Sequence, residues 1–357
     1  MAAYLINICL LIFFGITLLA YKPTKLNKKV FCILASIQWI ILSGLRHESI
    51  GADTIAYKIR FVDVANISWS QLGKNFIGVL FLGVKNTEPS FAFIEKIINM
   101  IIPNYQIYLI IIALFFTIFL GLWIYKYSSE PFISFLIYFC LFSSFYALTG
   151  IRQTIVTAMV LFIGYKFIRE KKFWPFLVLT IVAFTIHKSA VAFFPFYFIA
   201  NMKITKKYIS LVAIVIPILF VFKHQLIYFL GTIMGYNQFI SQYEGAGTWT
   251  FTAMFTIIAF VTIWRHKEII KNNPYATHYM NATFLAFAFL PLTFINPSAM
   301  RIVYYYALFL LLLIPDILDT FNKRDKTIIL CVGSTLLIVL FAKNNPQYLF
   351  FWQVLAI

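Results

Sequence analysis

Acidic side chains are scarce in this chain: 12 Asp and Glu stand against 29 Lys and Arg in 357 residues, and charged residues of both signs make up 11%. A water-soluble domain carries roughly a quarter of its residues charged, so this composition excludes one. Cysteine is rarer still, at four. Cys9, Cys32, Cys140 and Cys331 each lie in an apolar run without CxxC or Cys/His spacing. That excludes a disulfide framework or a thiolate metal site and leaves small buried hydrophobes. Neither an Asp-x-Asp metal motif nor an internal repeat or low-complexity tract is present. The first segment, MAAYLINICLLIFF, has no basic residue ahead of its apolar core and is read as a retained span rather than a cleaved signal peptide.

What is abundant is hydrocarbon. Hydrophobic residues make up 62% of the chain, with 41 Phe and 21 Tyr, and the mean hydropathy is +0.88. Apolar stretches of about 20 residues recur along its length, the measure of a bilayer crossing. The net charge of +17 raises the question of nucleic acid, but its distribution points to a bilayer instead. Lys and Arg gather in short connections: YKPTKLNKK, YKFIREKK, NMKITKKY, WRHKEIIK and NKRDK. Short basic loops between spans mark the cytoplasmic side, where anionic headgroups add their attraction.

Spans are predicted at 3–21, 30–45, 104–125, 131–148, 150–168, 173–187, 189–202, 208–229, 250–264, 276–295, 302–321 and 327–342. The fold class is therefore all-α: one polytopic membrane domain over 1–357, with about twelve helices and both termini outside. The inner loops of this layout hold 18 of the 29 basic residues. Between 173 and 202 a hairpin turning at His187-Lys188-Ser189 keeps both flanking basic clusters inside, which a single span does not. Two outer segments are long. Residues 46–103 carry the amphipathic stretches WSQLGKNFIGVLFLGV and EPSFAFIEKIINMII, expected to lie along the interface. Residues 230–249, rich in Gly, Tyr and Gln, suit a sugar-compatible lid.

Several charges fall at outer helix ends, where membrane-embedded charge is costly and so functional by default. Arg46 follows span two, where the helix dipole favours a cation; snorkelling to headgroups explains it as well as substrate contact does. Arg152 and Arg301 open helices after the breakers LTGIRQ and INPSAMR. There the dipole disfavours a cation unless an anion neutralises both, and a guanidinium at a helix amino end is a natural phosphate site. His187, beside Lys188 and Ser189, is either a hydrogen-bonded structural residue or a neutral general base. Asp53 is either the N-cap of a short helix or an acid paired with the phenol of Tyr57 one turn on. Glu88 precedes Pro89 and reads first as the cap of the helix that follows.

These residues carry a resemblance. GLRHESIGADTIAY resembles the G-L-R…G-x-D-x-x-x-Y signature of the EpsG family of Wzy-like exopolysaccharide polymerases. EPSFAFIEKI is similar to that family's second outer-loop element, and ALTGIRQTIVTAMVLFIGYKFIREKK to its N/G-x-R-Q helix with a basic end. IVAFTIHKSAVAFFPFYFI resembles its A-x-x-x-H-x-S-A hairpin, and MRIVYYYALF its R-x-x-Y-Y/F helix. Order and spacing agree over most of the chain. Position 52 is Ala where Thr is frequent and position 150 is Gly where Asn is common; neither removes a charge.

The resemblance implies a glycosyltransferase of the bacterial cytoplasmic membrane, with its active site facing the exterior. A growing glycan passes from undecaprenyl diphosphate to a hydroxyl of the next lipid-linked repeat unit, so the partners are donor, acceptor and bilayer, with room for a chain-length regulator and a flippase. It assigns diphosphate and glycan contacts to Arg46, Tyr57, Arg152, Gln153, Lys188, Arg301 and Tyr305. His187 is the favoured base, with Asp53 and Glu88 as competing carboxylates. Cations can replace a metal at the leaving group, so no metal and no cofactor is expected. The rivals are an O-antigen-ligase-like enzyme, a GT-C transferase using a polyprenyl-linked donor, and a flippase. The GT-C pattern is disfavoured because the first acidic cluster follows span two rather than span one. The flippase is disfavoured because the ionisable groups collect on one face instead of at the midplane.

Overall fold

The computed structural model describes residues 2–20, 23–81, 89–234, 248–344 and 347–353. Among them every regular element is helical, and the one extended pairing is an isolated antiparallel bridge between Arg46 and Phe350. In chain order the helices are α1 Ala2–Ala20, α2 Lys25–Gly44, α3 Thr54–Asp63, α4 Trp69–Phe81, α5 Pro89–Ile101 and α6 Tyr105–Tyr127. There follow α7 Pro131–Tyr146, α8 Ile151–Arg169, α9 Phe173–Ile186, α10 Lys188–Ile199, α11 Lys206–Val221 and α12 Lys223–Met234. The remainder are α13 Trp249–Asn272, α14 Ala276–Phe289, α15 Met300–Ala307, α16 Leu310–Leu318 and α17 Lys323–Asn344.

The chain is a polytopic helical membrane protein, but the expected count of about twelve spans is not met. Among the described residues five helices are long and apolar enough to cross a membrane: α1, α2, α6, α8 and the greater part of α17. The count reaches seven if two bent pairs each act as one span. These are α11 with Lys223–Phe229, bent by 81°, and Pro297–Ala307 with α16, bent by 52°. The predicted spans at 131–148, 173–187 and 189–202 are α7, α9 and α10, of 10–17 residues each, short of the roughly 20 that a crossing needs. Hydropathy could not reveal the bends, because they fall on apolar residues, Phe222 in one pair and Leu308-Phe309 in the other.

The chain clusters into two compact units, 1–190 with 331–357, and 191–330. In the first, α2 and α6 run antiparallel. Thr24 caps α2 by accepting from Asn27 N (3.1 Å), and Asn104 caps α6 by accepting from Gln106 N and Ile107 N. At one end Gln106 Nε2 donates to Gly44 O (2.5 Å); at the other Lys28 Nζ donates to Ser129 O (3.0 Å). Gly44 permits the approach, since a Cβ there would lie 3.2 Å from the Ile110 Cα. The core is aromatic: Trp39 packs on Tyr138 and Phe139, and Phe116 stacks on Tyr146 at 5.2 Å. Ile181, Val178 and Trp174 of α9, and Leu114, Ile118 and Leu122 of α6, are exposed at helical spacing. Such stripes suit lipid rather than water.

The two ends of this unit differ in charge. Around Lys28 and Ser129 lie Lys126, Arg169 stacked over Tyr127 (4.6 Å), and the Glu170–Lys172 pair (2.8 Å). The opposite end holds Arg46, Asp53, Tyr57, Arg152 and the close of α9. In the second unit Phe193 stacks with Phe309, and Tyr306 with Phe289 at 5.8 Å. The buried Asn281 donates to the carbonyls of Ile199, Ala200 and Met202, fixing the end of α10.

Candidate functional site

The segment GLRHESIGADTIAY leaves α2 and folds back on the turn before α8. Ser43 Oγ donates to Ala147 O (2.6 Å), and Thr54 Oγ1 donates to Ile50 O and Leu148 O. Gly51 makes this possible. Its φ of +100° is the left-handed region, and a Cβ there would overlap the Leu148 carbonyl oxygen. Asp53 takes the N-cap position of α3, half-buried, but its side chain makes no capping hydrogen bond. The expected capping role is therefore filled by position alone.

This docking brings Tyr57 to Arg152. The Arg152 Nε donates to the Tyr57 hydroxyl at 3.1 Å, and its guanidinium stands 5.6 Å from the Tyr57 ring and 5.9 Å from that of Phe91. Arg152 is the second residue of α8, after Gly150, so it meets the helix amino end as the sequence implied. Phe91 also lies under Arg60, 4.8 Å from the guanidinium, and Arg60 Nε donates to Glu95 Oε2 at 2.7 Å. Glu95 is fully enclosed, and its second oxygen has no hydrogen-bond partner. Burial pushes its carboxyl up to about 7, against the pull of Arg60 and then Arg152.

Arg46 does not snorkel. It is 2% exposed, covered by the segment 347–353. His47 N donates to Leu349 O, Phe351 N to Leu45 O, and the Tyr348 hydroxyl to Leu42 O (2.8 Å). Its Nη1 donates to Ser43 O, while its Nε has no hydrogen-bond partner. Burial pushes the guanidinium down to about 10, opposed by the phenols of Tyr105, Tyr348, Tyr108 and Tyr4, so it remains a cation at neutral pH.

His187 closes α9, donating its backbone N–H to Ala183 O, and is 4% exposed. Ser90 Oγ donates to Thr185 Oγ1 at 2.7 Å, which ties the α9 end to the residue beside Phe91. Thus His187, Arg152, Tyr57 and Asp53 share one end of the first unit. Lys188 is half-buried there, and Gln153 is buried in α8. Arg301 and Tyr305 belong to the second unit. Arg301 is the second residue of α15, after a turn, Pro297–Ala299, capped by Asn296 accepting from Ser298 N (2.8 Å). Tyr305 is wholly buried beside Phe193. Glu88 lies outside the described residues, as does most of the expected lid, 235–247.

Three residues of the cluster escaped the sequence reading: Arg60, Phe91 and Glu95. A signal existed, because Phe91 and Glu95 are one turn apart, so an acid falls on the buried face of an otherwise amphipathic helix. Its partner Arg60, 35 positions earlier, had no such mark. Among the described residues no group of three or more His, Cys, Asp or Glu side chains could hold a metal ion. Two guanidiniums around one ring, one of them at a helix amino end, can hold an oxyanion.

No curated protein and no solved structure matches the chain. The family model that does match, described as the EpsG family, covers residues 29–351 and so runs from within α2 into the segment that covers Arg46. The chain belongs to the EpsG family of Wzy-like exopolysaccharide polymerases.

Proposed function

We propose that the protein polymerises lipid-linked repeat units at the outer face of a bacterial cytoplasmic membrane. The growing glycan leaves undecaprenyl diphosphate and joins a hydroxyl of the incoming lipid-linked unit. The observation that carries this reading is Arg152, a guanidinium at the amino end of a membrane helix, bonded to a phenol and neighbouring a second guanidinium. In the transfer, the acceptor oxygen bonds to the anomeric carbon as the bond from that carbon to the diphosphate oxygen breaks. The hydroxyl proton passes to His187, and the electron pair departs with undecaprenyl diphosphate. Arg152 stabilises the negative charge that develops there. Arg301, in the same local setting after its own capped turn, is assigned phosphate binding on its own geometry. Cations supply the stabilisation, so the transfer is read as metal-independent.

The test is turnover of purified, membrane-reconstituted enzyme on lipid-linked repeat units in EDTA. Arg152→Ala and Arg301→Ala should each lower turnover by about 100-fold or more while the protein stays in the membrane. Arg→Lys should rescue poorly, because a lysine lacks the fork. Normal polymer from both alanine variants refutes the assignment, and wild-type activity that appears only on adding magnesium refutes metal independence.

A further inference from the structure

A carboxylate with no exposed surface, such as Glu95, is costly to bury, and here one oxygen also lacks a partner. Arg60, its ion-pair partner, keeps 27% of its side chain exposed. The pair is joined through Arg60 Nε, and Arg60 forms no other side-chain hydrogen bond among the described residues. Its two Nη groups are therefore left over, on a guanidinium 4.8 Å from the Phe91 ring centre. The ring of Phe91 also borders Arg152, so two cations share one aromatic surface and one carboxylate. With Glu95 ionised, Arg60 and Glu95 cancel in charge, and the Arg60 fork keeps unfilled donors over the ring that Arg152 also borders. A phosphate-bearing ligand is the chemistry that completes it.

We propose that Arg60 is a further ligand of the carrier's diphosphate and that Glu95 is its positioning residue, holding Arg60 by Nε so that the Nη fork stays open beside Arg152. The inference rests on the diphosphate reading above. It assigns α3 and α5, the helices of the outer segment, to the headgroup as well as to the glycan. It also accounts for keeping a buried acid between two interfacial helices, where an apolar residue would pack at less cost.

Protonation gives this role a signature. The charged or titratable groups facing Glu95 are Arg60 on α3, Arg152 on α8, and Tyr105 and Tyr108 on α6, with Tyr57 of α3 against the Phe91 ring. The raised carboxyl takes up its proton as pH falls through about 7. For stability the sign is the reverse of the usual carboxylate. The folded state binds the extra proton between 4.5 and about 7, so Glu95's contribution is present in acid and is lost as pH rises through that window. Its hold on Arg60 follows the opposite course, tightening above about pH 7.

The experiment measures binding of undecaprenyl diphosphate to the full chain in detergent between pH 5.5 and 8.5, for wild type, Arg60→Ala, Arg60→Lys, Glu95→Gln and the Arg60→Ala/Glu95→Gln double variant. Arg60→Ala should weaken binding by about 10- to 100-fold, the weight of a lost charge-assisted bond, with partial recovery in Arg60→Lys. Glu95→Gln should weaken it above pH 7, converge with wild type in acid, and add nothing in the Arg60→Ala background. Equal loss at every pH, or full additivity in the double variant, reduces Glu95 to a structural ion pair and overturns its assignment. Unchanged affinity in Arg60→Ala, with binding lost in Arg152→Ala, overturns the inference and leaves the diphosphate reading intact. Unchanged affinity in Arg60→Ala and Arg152→Ala alike removes both.

Discussion

In the proposed transfer His187 takes the acceptor's proton and Asp53 is the competing carboxylate, and the two stand in different surroundings. His187 is enclosed at the α9 terminus, while Asp53 is half-buried at the start of α3 with its backbone carbonyl bonded to Tyr57 N. His187→Ala is expected to lower kcat by roughly 100- to 10,000-fold with donor binding retained, and Asp53→Asn to weaken assembly or binding instead. The check is single-turnover kinetics alongside donor binding. An inert Asp53→Asn that still binds donor, beside an active His187→Ala, exchanges the roles. Arg46 belongs to another category. Enclosed by four phenols, it orders the junction of α2 with the outer segment, and its distance from solvent sets it apart from Arg152 and Arg60.

At the scale of elements, the hinge of the site is the docking of the Gly51 turn on the turn before α8. Gly51→Ala meets both a left-handed backbone and the Leu148 carbonyl, a cost of about 1–3 kcal/mol for the conformation alone. Relief requires the turn to lift from Leu148, carrying Tyr57 away from Arg152. The variant should therefore melt several degrees lower and lose donor affinity together, as read by thermal unfolding and binding on one preparation; intact affinity with lowered stability would separate the turn from the site. Much of this was legible. Breakers before Arg152 marked a helix start, the lone His187 marked a helix end, and the acid-phenol spacing marked α3. The pairing of Glu95 with Arg60 was not, because it links two helices whose mutual placement is set by packing, not by either sequence pattern. The span count failed for a related reason: hydropathy sums apolar residues without regard to whether a helix of 14 residues or a bent pair holds them.

Over the whole chain, charge asymmetry and site location agree in the unit that contains both. Lys28, Lys126, Lys166, Arg169 and Lys172 lie at one end of its helices, and Arg46, Arg60 and Arg152 at the other. The proposed orientation puts the basic end in the cytoplasm and the site outside, as short basic loops between spans favour. In a cysteine-free background, Ser49→Cys and Thr149→Cys should react with an impermeant maleimide added to intact cells. Ser129→Cys and Lys171→Cys should react only after the membrane is opened. The reverse pattern would invert the orientation and remove the external active site.

The strap that buries Arg46 carries a consequence for how the molecule is made. Tyr348, which closes over it, is separated by 306 residues from the carbonyl it binds at Leu42. At a synthesis rate of roughly 5–20 residues per second, the guanidinium waits about 15–60 s between leaving the ribosome and receiving its cover. Through that interval every later helix is threaded into the bilayer while the first motif stays unfinished. Leu42 and Tyr348 are thus joined late, and the junction of α2 with the outer segment reaches its final order only after residue 348 has been made.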